Sequence, residues 1–469
     1  MKDKRRFAVS AGMVPVILQL AWPTMLEQLM QTLVQYIDTA MVGTLGTEAT
    51  AAVGATATVN WLIGSTVSAF GIGFLTFIAR ALGRGDRERA ARVTAQSTLA
   101  VLFAGILFTA LPLALHRQVP AWMRTDASVR ETASRYFFIL YTPMLFRAAT
   151  TIYGTALRAA GDTRTPMRVG IAVNSLNVVL NFLMIYPTRE IALFGLRLTV
   201  PGAGWGVTGA AAASAAAYAF GGICITAALW RHPLISPKGR SLKPDPEILK
   251  PCLRVAVPNM LQRFATSFGY VAFATMINSL GEVSTAAHTV ANTVESAFYI
   301  PGYGMQTAAA TLAGNALGAG DGKRMRQLSA TAIAIEVALM ILSGGLLFAF
   351  APAMAGLFTR DARVLALCVT VLRMVAVSEP FYGVSIIIEG MMQGVGETVK
   401  PLICGISTMW TVRIGGTFIC VCLLGLGLEA AWGCMIAHNM TMFLLMLILY
   451  LRGGWNPLRK RRGGVPAAE

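Results

Sequence analysis

Charge is scarce in this sequence. Only 13% of its 469 residues are Asp, Glu, Lys or Arg, about half the share typical of soluble domains. That shortage excludes a soluble fold, which needs a polar surface, and a disordered chain, which stays solvated through charge. Acidic residues are scarcer still, at 22 against 39 basic ones, for a net charge of +17. Cysteine is sparse and scattered. Cys224, Cys252, Cys368, Cys404, Cys420, Cys422 and Cys434 fall mostly in apolar stretches, with no CxxC and no Cys/His ligand spacing. A metal centre or a disulfide framework is not expected. No Gly-rich loop followed by GK[ST] is present, so ATP does not drive the protein directly. No nucleophile elbow, zinc motif or other catalytic constellation occurs, and neither an enzyme nor a cofactor is expected. The N-terminal MKDKRRF resembles a twin-arginine signal only faintly and no clear small-residue cleavage site follows. A retained first span with a basic anchor is the reading.

What is abundant is apolar: 55% of the chain. A membrane-spanning helix takes about 20 mostly apolar residues. Segments of that length occur at 14–41, 52–79, 93–115, 132–157, 166–186, 205–230, 252–280, 285–313, 328–351, 364–392, 401–425 and 427–451. The expected fold is therefore an all-α polytopic membrane protein of twelve transmembrane helices. The longest polar stretch, Arg231 to Lys250, carries four prolines at the midpoint of the chain and reads as a linker.

The two halves repeat. Shifted by 235 residues, Leu20–Asp86 aligns with Val255–Asp321 without a gap, with 18 identities in 67 positions. Pro23, Met25 and Leu26 fall on Pro258, Met260 and Leu261. Ala81-Leu82-Gly83 with Gly85-Asp86 falls on Ala316-Leu317-Gly318 with Gly320-Asp321. The same shift matches Gly161 and Pro166 to Gly396 and Pro401. Scattered Ala and Leu pairs arise by chance in apolar sequences; Gly, Asp and Pro punctuation at one offset does not. Six spans per repeat is an even number, so both halves enter the membrane in the same sense, as a parallel pseudo-two-fold repeat. The expected domains are an N-terminal six-helix lobe (1–230), a cytoplasmic linker (231–250), a C-terminal six-helix lobe (251–451) and a basic tail (452–469). Gly83 and Gly318 are expected to end their helices in left-handed caps. Pro166 and Pro401 suit a helical first turn.

The excess positive charge sorts by loop. With the N-terminus inside, 27 bases fall on the cytoplasmic side and eight on the other. This asymmetry predicts cytoplasmic termini in the plasma (inner) membrane. Arg459-Lys460-Arg461-Arg462 suits anionic headgroups, with plain topology anchoring the simpler reading. Membrane lipids are expected partners; nucleic acid is not. A monomer is expected.

Inside the spans the balance reverses: six acids stand against Arg147, Arg263, Arg373 and Arg413. Ionisable groups at membrane depth are costly and are usually retained for function. Glu27, Gln31, Gln35 and Asp38 recur at spacings of 4, 4 and 3, along one face of the first helix. Asn174, Asn177 and Asn181 share a face of the fifth. In the second half His288, Asn292, Glu295 and Tyr299 do the same, and Arg263 is expected to pair with Glu295 or Glu389. Polar glue between helices explains such faces without function. Glu336 and Arg373, near expected helix ends, are read as snorkelling to the interface. The remaining groups suit substrate binding and ion coupling.

Ile37-Asp38-Thr39-Ala40-Met41-Val42-Gly43 with Leu45-Gly46 resembles the first-helix signature of the multidrug and toxic compound extrusion (MATE) transporters. Leu157 through Thr163 with Pro166, Gly314 through Asp321, and Asn177-Val178-Val179-Leu180-Asn181 are similar to further motifs of that family. The resemblance covers about residues 10–450. It implies two six-helix lobes around a cleft and export of amphipathic, often cationic, small molecules by antiport with H⁺ or Na⁺ through alternating access. It implies that Asp38 is the coupling carboxylate and Asn177 and Asn181 its partners. Some members carry Asp where this chain has Asn181, and others carry Glu where it has Thr266. Coupling to H⁺ is therefore the expectation, with Na⁺ the alternative. A lipid-linked saccharide flippase, suggested by Arg147, Arg263 and Arg413, and a membrane-embedded enzyme or scaffold without transport are the competing classes.

Overall fold

The computed structural model describes residues 9–123, 125–193 and 196–460. The N-terminal basic cluster, Arg124, and Arg461 and Arg462 of the tail lie outside the described residues. The side chains of Arg197 and Lys460 do as well.

Long helices carry almost the whole chain. They are α1 (Val14–Gly43), α2 (Thr47–Gly83), α3 (Arg87–Leu115), the short α4 (Gln118–Trp122), α5 (Ala127–Tyr141), α6 (Met144–Ala159), α7 (Arg164–Met184) and α8 (Gly206–Trp230). After the linker come α9 (Pro246–Asn278), α10 (Glu282–Gly318), α11 (Gly322–Gly356), α12 (Ala362–Ala376), α13 (Glu379–Gly394), α14 (Val399–Ser407), α15 (Leu428–Arg452) and α16 (Pro457–Lys460). With α5–α6, α12–α13 and α14 with its continuation each taken as one span, these give the twelve expected spans. The break between α5 and α6 at Thr142-Pro143 recurs at the same repeat offset between α12 and α13, which meet at 53°. Beyond α14 the eleventh span is wound as π-helix over Thr408–Gly415 and Phe418–Leu423. Among the described residues seven helices alone, or eight counting the bent pair, are long and apolar enough to cross a membrane by length and composition. Polar faces set the others apart: α1 carries Glu27, Gln31, Gln35 and Asp38, and α10 carries His288, Asn292 and Glu295.

One departure from an all-helical chain lies between α7 and α8. There β1 (Pro187–Leu193) pairs antiparallel with β2 (Leu196–Ala203), in a register that sets Glu190 opposite Thr199. The alternation Leu196-Arg197-Leu198-Thr199-Val200 is the strand signal in this loop.

The chain groups into two compact units. One comprises residues from Pro251 onward together with the chain up to Gln28 and Leu75–Asp86. Within it, Ile17 and Ala21 of α1 share a core with Met305, Met325, Met391 and Met446. A second core gathers Phe273, Leu347, Val371 and the fully buried Trp432. Thr24 Oγ1 donates to Gly304 O at 3.0 Å. The other unit comprises Leu29–Phe74 and Arg87–Lys250. Val42, Ala52, Ala133 and Ile185 form a core there. The linker is tied to α3 in this unit: Gln96 donates to Lys243 O at 2.8 Å and accepts from Asp245 N–H at 3.0 Å.

The glycines correct one expectation. The left-handed residues after α2 and α10 are Gly85 (φ 78°) and Gly320 (φ 68°), two residues beyond Gly83 and Gly318. Gly83 and Gly318 serve close packing instead. A Cβ on Gly83 meets Asn315 O at 2.2 Å, and one on Gly318 meets Arg80 O at 2.1 Å. Arg80 and Asn315 are themselves one repeat apart, so the ends of α2 and α10 cross through symmetry-related residues. Lipid supplies no hydrophobic drive between helices, and small residues that let backbones approach supply the attraction.

Candidate functional site

Asp38 sits on the C-terminal half of α1, half-buried, in the unit that contains α7 and α8. Its Oδ1 accepts from Asn181 Nδ2 at 2.6 Å. Asn177, one turn earlier on α7, completes the group. In one orientation its amide accepts from Asn181 Nδ2 at 3.2 Å and donates to Ser214 of α8 at 3.1 Å. In the other it donates to Asp38 Oδ1 and Oδ2 at 2.9 and 3.1 Å and accepts from Ser214. The second orientation gives the carboxylate a second amide donor and the Ser214 hydroxyl an acceptor, and amide orientation follows from such networks. Asn177 and Asn181 are buried. The i, i+4 spacing on α7 brings both amides to one carboxylate.

The other polar residues of that predicted face disperse. Gln31 and Gln35 are exposed. Glu27 is half-buried and belongs to the other compact unit. Asn174 is half-buried and is not part of the Asp38 group. Ser214, in the Ala-rich run of α8, gave no sequence signal; only its place opposite Asn177 identifies it.

A second polar group lies in the same unit. Arg147 of α6 donates through Nη1 to Asn60 Oδ1 of α2, which also accepts from Tyr141 OH at 3.3 Å. The guanidinium lies 4.9 Å from the Tyr218 ring centroid. Gly64, one turn from Asn60, leaves room for it: a Cβ there stands 3.3 Å from Nη2. Half-buried Tyr136 interacts electrostatically with both Asp38 and Arg147.

The predicted residues of the second half separate in part. Arg263 makes no ion pair with Glu295 or Glu389, contrary to expectation. Its Nε donates to Asn259 Oδ1 at 3.0 Å on its own helix. Glu389 accepts instead from Gln262 and Gln393, each at 3.1 Å, so neutral amides satisfy it. His288 lies edge-on between Phe273 and Trp432, with centroids 5.7 and 5.9 Å away, while Asn292 is exposed. Glu295 is buried, and Arg413 lies within its electrostatic reach. Arg413 is itself buried against the Phe273 and Tyr270 rings, at 4.3 and 4.8 Å. Tyr299 packs edge-on to Tyr303 and Tyr382, whose hydroxyls are 3.2 Å apart. This tyrosine cluster joins α10 to α13 and was not legible in the linear spacing. Glu336 is fully buried, not snorkelling, because Gly302 and Gly383 admit its side chain to the helix interface. Arg373 is exposed beside the Phe348 ring. Among the described residues no group of three or more His, Cys, Asp or Glu is disposed to hold a metal ion.

Comparison with known proteins places these features. A family model described as MatE matches residues 23–183 and 258–419, the two halves of the repeat. The probable multidrug resistance protein NorM of Thermotoga maritima is 26% identical, over 94% of this chain and 92% of its own length. The multidrug export protein MepA of Staphylococcus aureus is 22% identical, over 96% of this chain and 97% of its own. A solved structure described as the outward-facing conformation of a multidrug resistance MATE family transporter of the MOP superfamily has a TM-score of 0.86 at 26% identity. That match covers 97% of this chain and all of the other. Its twelve-helix, two-lobe layout fits the helices described above. With both halves of the repeat matched by one family model, this chain belongs to the MatE family of multi-pass membrane transporters.

Proposed function

We propose that the protein exports amphipathic organic cations by H⁺ antiport through alternating access, with Asp38 as the coupling carboxylate. The observation that carries this reading is the Asp38 carboxylate held by Asn181 at 2.6 Å. Ionised, Asp38 is acceptor-only; protonated, it also donates. Asn177 and Asn181 each offer both an oxygen and an NH₂, so the same partners suit both states. A cation is attracted to the ionised form, and a proton displaces it. Each ligand moves the protein between its two facing states only by its different affinity for them. A single carboxylate suits a proton better than a metal cation, which wants several charged or carbonyl oxygens.

The multidrug resistance and export names of the relatives support the export reading. The 27-to-eight distribution of bases supports cytoplasmic termini and residence in the plasma (inner) membrane. The repeat supports the division into lobes at 1–230 and 251–451 around the 231–250 linker, with the tail at 452–469. The protein acts as a monomer in this reading.

Purified protein in proteoliposomes tests the coupling. An imposed pH gradient drives efflux of a cationic dye, a Na⁺ gradient alone does not, and Asp38→Asn abolishes the response. Efflux driven by Na⁺ alone refutes H⁺ coupling, and undiminished efflux by the Asp38→Asn variant refutes the assignment of Asp38.

A further inference from the structure

Arg147 stands out among the charges at membrane depth. The ion pairs defined among the described side chains join Arg135 to Glu131, Arg240 to Glu88, Arg363 to Asp361 and Lys400 to Glu397, and none involves Arg147. Its partners are a neutral amide oxygen, a neutral phenol hydroxyl and an aromatic face, on Asn60, Tyr141 and Tyr218. All three orient a guanidinium without neutralising it. A guanidinium has five N–H donors in a planar fork. Among the described residues the buried side-chain nitrogens left without a hydrogen-bond partner include Arg413 Nε, but none on Arg147. Its remaining donors therefore open on accessible space. Such a group, held in place from behind and open in front, is built to receive an anion, with the bidentate geometry that favours a carboxylate.

The position matters as much as the charge. Asp38 lies five residues before the end of α1, and Asn60 lies 13 residues after the start of α2. At 1.5 Å per residue in antiparallel helices joined by a short loop, the two sites differ in depth by roughly 12 Å. Tyr136 lies within electrostatic reach of both. One unit of the protein thus presents a carboxylate and an unpaired guanidinium a small-molecule length apart.

We propose that Arg147 recognises an acidic group on the transported compound, so that the substrates are amphipathic zwitterions: a cationic end read at Asp38 and a carboxylate read at Arg147. This inference rests on the export reading for its substrate, and its test separates the two. The probes are rhodamine B, which carries a free carboxylate beside its cationic ring system, and its ethyl ester, which is a cation only. Equilibrium binding to the purified full-length protein is read by fluorescence anisotropy. Wild type binds the acid at least about tenfold more tightly than the ester, the scale of a charge-assisted bidentate contact. Arg147→Gln removes that preference while ester binding persists, which also shows that the variant is folded. Arg147→Lys keeps the charge without the fork and retains part of the preference. Equal affinity of wild type for the two dyes, binding of neither, or an unchanged acid-to-ester ratio in Arg147→Gln overturns the proposal. Dye efflux from proteoliposomes is measured separately. Arg147-dependent selectivity without any gradient-driven efflux refutes export and leaves the site standing. Efflux without that selectivity refutes the site and leaves export standing.

Discussion

The crossing of α2 and α10 gives a prediction whose size follows from geometry. Gly318→Ala places a methyl group 2.1 Å from Arg80 O, whereas ordinary contact begins at 3.4 Å. The obstructing atom belongs to backbone and cannot rotate aside, so the helices must part by more than about 1 Å. Overpacking of this kind costs about 1–3 kcal/mol. Its repeat partner, Gly83→Ala, meets Asn315 O at 2.2 Å and carries a similar penalty. The control is Gly345→Ala in α11, where a Cβ has nothing within 4 Å. Replacing a mid-helix glycine by alanine there stabilises by roughly 0.5–1 kcal/mol. Thermal unfolding of detergent-purified protein, followed by tryptophan fluorescence, reads the difference. Gly318→Ala and Gly83→Ala lower the apparent melting temperature by several degrees, and Gly345→Ala leaves it level or raises it. If Gly318→Ala melts with wild type, or if Gly345→Ala falls as far, close helix approach is not what these glycines provide.

Three further outcomes are expected. Asn181→Leu removes the 2.6 Å donor to Asp38, an interaction of about 1.5–3 kcal/mol; proton-driven efflux drops at least about tenfold, and an unaltered rate would sink Asn181 as a coupling partner. Asp321 caps α11 by accepting from the backbone N–H groups of Lys323 and Arg324 at 3.0 and 2.8 Å. Asp321→Ala therefore costs about 1 kcal/mol in the same melting assay, whereas an unchanged transition excludes a stabilising cap. At the start of α12, the backbone N–H groups of Val364 and Arg363 hold the Asp361 carboxyl below the usual carboxylate range. The stability it contributes is present above the ordinary value and lost as pH falls through the lowered one. The melting gap between wild type and Asp361→Asn therefore closes on acidification, and a gap that widens contradicts the cap.

Spacing along each helix singled out Asp38, Asn177 and Asn181, which the structure brings together, because residues three or four apart share a face and intramembrane polarity is costly. On α10 the same reasoning stopped short of burial. Its four polar positions share a face in projection, yet Asn292 is exposed while Glu295 is buried. A helix projection cannot show which part of a face a neighbouring helix covers. It also paired Arg263 with the wrong class of partner. Charge counting suggested a carboxylate, whereas the adjacent Asn259 and the amides around Glu389 satisfy both groups locally. Arg147 was visible as an intramembrane base, but not as one set between Asn60 and Tyr218, which lie 87 residues before it on α2 and far beyond it on α8.

By itself the sequence determined the class, the twelve spans, the repeat and the identity of the costly polar residues. These follow from local quantities: apolar length against bilayer thickness, helical period, and punctuation at a constant offset. Tertiary structure alone decided what each polar residue meets and why each glycine is needed. It moved the left-handed turns from Gly83 and Gly318 to Gly85 and Gly320, and turned the first pair into points of backbone contact. It drew Glu336 into the interior at Gly302 and Gly383, and left the guanidinium of Arg147 partly unpartnered. Contact between residues hundreds of positions apart depends on how closely helices approach, and that is set by packing, which no single helix encodes.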